Sequence, residues 1–202
     1  MSSLELPETC GAILLRDCTL FPHGGMPLRI FEPRYRQMLD ETLRGSCFFA
    51  VARLIDDESN DVDPAVFTDP VGTIGLVRAS REMDDGTSHL LLHGVIRVRF
   101  AAWLEDTAYP TARIQPIPAF FEPESQAEAA VEALRETAEL ALQPFDEEVR
   151  NAFRSMTEPI DDPAILADVI SQQFVHQPEQ RHDLLRMESV AERIAWLCKN
   201  LA

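Results

Sequence analysis

Apolar and polar positions change rhythm along this chain, from a period of two in its first part to a helical period in its second. Residues 26–31 alternate, with Leu28 and Ile30 on one side and Arg29 and Phe31 on the other. That spacing predicts a strand. Pro27 has no N–H to give a ladder, so the strand starts there or lies at an edge. Glu32-Pro33 follows, and proline suits the first turn of a helix, where its missing N–H is not needed. Tyr35, Met38, Leu39, Thr42 and Leu43 then recur at helical spacing until Gly45, which ends the run. Glu32 and Arg36 are four apart, as are Asp40 and Arg44. Exposed pairs of this kind contribute only ~0.3–0.5 kcal/mol, so their plain role is to orient the helix.

The surrounding segments read as further strands. Residues 11–15 are a short apolar run, and 47–54 are rich in aromatic and branched side chains, as buried strands are. Residues 71–81 form a long strand with glycine at places where it can bend. Asp85-Gly86 is a turn signal. Residues 88–100 read as a strand, a break at Gly94 and a second strand; 111–117 are the last. Six or seven strands and one helix are best satisfied by a closed or nearly closed sheet, which leaves few bare edges. Asp56 to Asp63 is an acidic run. It lacks the loop glycine and terminal glutamate of a calcium loop, so a solvated loop is the expectation.

Residues 116–123, PIPAFFEP, hold three prolines in eight positions, which stop strands and helices alike. Beyond them the pattern is helical: 125–142 (apolar face Val131, Leu134, Ala138, Ala141), 145–156, 163–174 capped by Asp161 or Asp162, 178–186, and 189–201. The last opens with a capping box at Ser189 and Glu192. The expected fold class is therefore α+β. A β-rich pseudo-barrel with one helix spans 1–117, a linker 118–123, and an α-helical bundle 124–202.

Composition narrows the functional classes. The net charge of −16 over 202 residues opposes a phosphate backbone or an anionic membrane surface. Nucleic acid and membranes are thus not expected partners. Cys10, Cys18, Cys47 and Cys198 form no CxxC pair, which predicts reduced thiols in a cytoplasmic protein and no metal knuckle. Glu5 and Glu8 precede the first base, Arg16, unlike a secretory leader. No apolar run approaches the ~18 residues of a membrane span.

The stretch LFPHGGMPLRIFEPRYRQML resembles the opening of the Lon N-terminal domain, the substrate-binding domain of ATP-dependent Lon proteases. That domain also occurs alone in bacterial proteins of about this size, and in cereblon. The matching residues are Leu20-Phe21-Pro22, Pro27-Leu28 and Ile30 through Tyr35. Gly72-Thr73-Ile74-Gly75, Asp85-Gly86 and His93 through Val98 fit the family's second block, and Leu184-Leu185, Glu188 and Arg193 fit its helical tail loosely. The resemblance implies binding of unfolded or degron-bearing polypeptide.

Reactive machinery is not legible. A nucleotide-binding P-loop needs a lysine after a glycine loop, and a Ser-Lys dyad needs a lysine that the fold can desolvate. Lys199 is the only lysine and follows Cys198, on the last turn of a helix whose C-terminus it complements. His89 and His93 would share a metal on a helix, but in a strand they stand ~13 Å apart. No cofactor or metal is expected, and neither Lon activity. The reading that results is a non-catalytic binding module whose two parts leave a groove at the linker. Phe31, Tyr35, Phe120 and Phe121 are candidate lining residues, with Arg34 as a polar anchor; core packing is the alternative for each aromatic. Apolar side chains entering the groove would bind, aided by strand addition at an edge. A structural adaptor or homo-oligomer is the second reading, and a small-molecule or hydrolase site in the groove the third.

Overall fold

The computed structural model describes residues 5–55 and 63–201. Two compact units divide between Ile117 and Pro118. The first holds strands β1 (Thr9–Leu15), β2 (Gly25–Ile30), β3 (Phe48–Arg53), β4 (Val71–Glu82), β5 (Ser88–Trp103) and β6 (Thr111–Ile117). Helix α1 (Pro33–Arg44) lies between β2 and β3, and a single-turn helix α2 (Pro64–Phe67) precedes β4. Hydrogen bonding runs in the order β2-β5-β4-β3-β1-β6, and β6 returns to β5. The return closes five strands into a barrel, and β2 is paired along one side only among the described residues.

Closure depends on the length of β5. Its first half, Ser88 to His93, pairs with β2, and its second, Arg97 to Trp103, with β6. β4 pairs along nearly all of it, with register shifts at Ile74/Gly75 and Val77/Ala79. The strand is continuous, so the expected break at Gly94 is corrected to a shift of register. Gly94 instead receives the Phe21-Pro22-His23-Gly24 corner. His23 N–H donates to the Gly94 carbonyl and Gly94 N–H to the Gly24 carbonyl, both at 2.8 Å. A side-chain carbon on Gly94 would collide with the Phe21 carbonyl oxygen. Thr73 Oγ1 donates to the Leu20 carbonyl at 2.6 Å, pinning the corner from beneath.

The first unit has two cores, and successive residues of one strand supply both. Ala12, Leu14, Ala50, Ala52, Ile74, Val98 and Ile114 fill the barrel. Ile13, Phe49 and Val51 point the other way, to Leu20, Met38, Leu39 and Leu92 under α1. Strands buried on both faces read as continuous apolar runs, which explains 11–15 and 47–54. On α1, Tyr35, Met38, Leu39 and Thr42 are buried, while Leu43 is 43% exposed. Asp40 and Arg44 form their pair at 2.8 Å. Glu32 holds Arg34 rather than Arg36, at 3.0 Å, because residues flanking the Pro33 corner are closer than a helical turn. Helix α2 was not expected. Asp63 caps it, accepting from Ala65 N–H at 2.9 Å, with Pro64 in the first turn. The rest of the acidic run, 56–62, lies outside the described residues.

The second unit opens with residues 118–123, whose Glu122-Pro123 bond is cis, and a 3₁₀ turn (Glu124–Gln126). Five helices follow: α3 (Ala127–Leu142), α4 (Glu147–Thr157), α5 (Pro163–Phe174), α6 (Pro178–Arg186) and α7 (Val190–Asn200). Val131, Leu134, Ala138 and Leu142 of α3 meet Leu166 and Ile170 of α5 and Ile194 and Leu197 of α7 as buried side chains. Asp162 caps α5 through Ala164 and Ile165 N–H at 2.7 and 3.2 Å. Ser189 caps α7 through Glu192 N–H at 3.3 Å. Arg193 is fully buried and donates to Asp168 at 3.3 Å.

Candidate functional site

Prolines at 116, 118 and 123 deny residues 118–123 regular hydrogen bonding, so this stretch carries its aromatics outside any strand or helix. Ala119 to Glu124 with Ala127, Asp161, Asp162 and Pro163 line an open cleft of about 1150 Å³ in the second unit. Phe120 is 66% exposed at its wall, and Phe121 is half-buried. Asp161, Asp162 and Pro163 also line the cleft, and Arg135 anchors the chain that leads to them. Its guanidinium donates to the carbonyls of Thr157, Glu158 and Ile160 at 3.3, 3.2 and 3.1 Å. It therefore holds the chain just before the Asp162 cap. The cleft has acids at Glu122, Glu124, Asp161 and Asp162 and no nucleophile beside a base. Its chemistry is contact: an exposed ring with carboxylates around it.

Three other candidates lie in the first unit, and they differ in what they offer. Phe31, just past β2, is 61% exposed. Arg34 is engaged locally, with Nε donating to Glu32 at 3.0 Å and the guanidinium 4.7 Å above the Tyr35 ring. Tyr35 is a core residue at 3% exposure, which corrects its assignment as a groove wall. Its hydroxyl accepts from Leu14 N–H at 3.1 Å and ties α1 to β1. Burial raises the phenol's pKa, against the smaller effects of the Leu14 hydrogen bond and Arg34. Only Phe31 of the three presents an open ring.

A second concavity of about 440 Å³ crosses the sheet face formed by β2, β5 and β4. Sequence reasoning missed it. The signal was the alternation His89, Leu91, His93 against the buried Leu90 and Leu92. Among the described residues, no group of His, Cys, Asp and Glu could hold a metal. No described helix is long and apolar enough to cross a membrane.

Residues 9–202 match the family described as the ATP-dependent protease La (Lon) substrate-binding domain. The chain belongs to that family. Lon proteases of Desulfosudis oleivorans and Escherichia coli are each 24% identical to it, over 98% and 96% of this chain. The chain spans about a quarter of their length, 24% in both cases. The Lon substrate-binding fold is also found in solved structures. The N-terminal domain of the Mycobacterium avium complex Lon protease superposes with a TM-score of 0.73 at 17% identity, covering 95% of this chain and 96% of that one. A Lon N-terminal domain protein from Xanthomonas campestris gives 0.65 at 18% identity, covering 96% and 99%. The match is thus to the Lon substrate-binding domain and not to the ATPase or protease domains.

Proposed function

We propose that this chain is a non-catalytic, cytoplasmic module that captures unfolded or degron-bearing polypeptide segments. The observation that carries the reading is that the family match covers 9–202 and is to a substrate-binding domain alone. The Phe120–Phe121 cleft supplies a physical means. An exposed phenylalanine gains when it enters a partner's apolar surface, and aromatic anchors dominate the binding energy of interfaces. Strand addition at β2 contributes little, because Pro27 removes a donor from its open edge. Titration of a labelled, permanently unfolded protein into the wild type and a Phe120→Ala/Phe121→Ala variant tests the reading. Saturable binding weakened in the variant supports it.

One observation favours the second reading, a self-associating adaptor. Helix α4 has a single buried residue, Thr157. Val149 and Met156 are 44% and 45% exposed, and with exposed Ala152 they stand three and four residues apart along the helix, the spacing of a helix–helix seam. A dimer by sedimentation equilibrium that Val149→Glu dissociates would favour this reading.

A further inference from the structure

We infer that the outer face of β2, β5 and β4 is a second polypeptide-docking surface, specific for extended segments in which acidic residues flank an apolar one. The inference rests on the reading of the chain as a polypeptide-binding module and names a ligand class for a surface apart from the phenylalanine cleft.

The register places three rows of side chains on this face. The middle row is Pro27, Leu91 and Ala79, paired across the three strands. Leu91 is 43% exposed between two small or flat neighbours, so the row forms an apolar floor. Two residues along β5, the next row is Arg29, His89 and Arg81. On the other side of the floor stands His93, paired with Gly25 and Leu76, with the exposed Arg78 beside it at the register shift of β4. The floor therefore lies between a basic row on one side and the Arg78 guanidinium on the other.

Charge decides the occupant. The side chains of Arg78 and Arg81 make no salt bridge or hydrogen bond among the described residues, and that of Arg29 has an exposed pair with Asp85 at 3.5 Å. Unpartnered arginines grouped on one face stand out in a chain of net charge −16. At physiological salt, charges beyond ~8 Å are largely screened, so the local bases govern a docked segment rather than the acidic whole. A phosphate polymer would meet the same bases but has no use for Leu91 and Pro27, and its many charges would meet the acidic remainder. A peptide carboxylate beside a leucine or phenylalanine satisfies both.

Spacing sets the motif. Rows on one face of a strand are two residues, ~6.6–6.8 Å, apart. A segment lying extended along β5 repeats at the same interval. An apolar residue over Leu91 then places side chains two positions before and after it over the basic row and over Arg78. The pattern is acid-x-apolar-x-acid. Pro27 weakens backbone pairing at the β2 edge, so recognition is by side chains on the face.

The test is fluorescence anisotropy with three labelled nine-residue peptides sharing one central leucine, with aspartate, serine or lysine at the two flanking positions. The aspartate peptide is expected to bind about tenfold more tightly than the serine peptide, as two exposed ion pairs allow, with the lysine peptide weakest. Arg78→Gln/Arg81→Gln should abolish the preference, and Arg78→Glu/Arg81→Glu should reverse it in favour of lysine. Unchanged circular dichroism establishes that both variants fold. Equal binding of all three peptides would overturn the assignment and leave the polypeptide-binding reading standing, whereas no binding by any of them or by unfolded protein would overturn both. An aspartate preference that survives both variants, equal competition by polyphosphate, or a wild-type dimer that the variants dissociate would each overturn it too.

Discussion

Gly94 and Phe21 meet so closely that the Phe21 carbonyl oxygen occupies the space a side chain on Gly94 would need. The two hydrogen bonds of the corner, from His23 N–H and to Gly24, depend on that approach. Gly94 is therefore a docking point for the Leu-Phe-Pro-His-Gly corner, placed where β5 changes register against β4.

Gly94→Ala should destabilise the first unit by about 1–3 kcal/mol, the usual cost of overpacking that forces the backbone to shift. Trp103 reports on this unit once Trp196 is replaced by phenylalanine. The urea midpoint read from Trp103 fluorescence should fall, with the second unit's helical circular dichroism transition unmoved. An unchanged midpoint would mean that the corner is not anchored on Gly94.

Tyr35→Phe separates core from binding roles. The Leu14 N–H loses its acceptor inside the core, which costs about 1–3 kcal/mol. Stability should drop by that amount while affinity for an unfolded polypeptide stays within twofold. Loss of affinity without loss of stability would return Tyr35 to a binding wall.

Burial pushes the Cys10 thiol from 9.0 to about 12, against the smaller opposing effect of its hydrogen bond with the Ala50 backbone. Above pH 9 the unfolded chain gives up this proton while the folded chain keeps it. Stability is therefore full below pH 9 and declines as pH rises toward 12. Tyr35, with its raised pKa, and Tyr109, raised to about 12 by burial and Glu41, add to the same alkaline decline. Cys10→Ala removes one contributor, so its stability should fall less steeply than the wild type's between pH 9 and 12, by on the order of a few kcal/mol. Parallel curves in urea titrations across that range would contradict the burial of the thiol.

The elements were largely legible because each carried its own punctuation. Glu32-Pro33 started α1, Asp162-Pro163 started α5, and the capping box at Ser189 started α7. The helix α2 was hidden because Asp63-Pro64, the same start signal, stood at the end of an acidic run. Gly94 looked like a strand break because a glycine that admits a distant backbone and one that ends a strand are the same letter. The site was less legible. Tyr35 and Phe31 are both aromatics of one motif, yet one is buried and the other exposed. That difference is set by the pairing of α1 with β1, a contact 21 residues apart. The basic face of β2, β5 and β4 needs a three-strand register that no local pattern states.

The central claim is that this chain holds polypeptide and transforms nothing. Its most direct measurement is titration of a fluorescent unfolded protein against the wild type and the Phe120→Ala/Phe121→Ala variant, with ATP hydrolysis and peptide cleavage followed in the same samples. The account predicts saturable binding with Kd below about 100 μM, corresponding to ~5.5 kcal/mol, weakened at least fivefold in the variant, with nucleotide and peptide left intact. Binding that fails to saturate at high micromolar concentration, or turnover of either substrate by the purified chain, would contradict it.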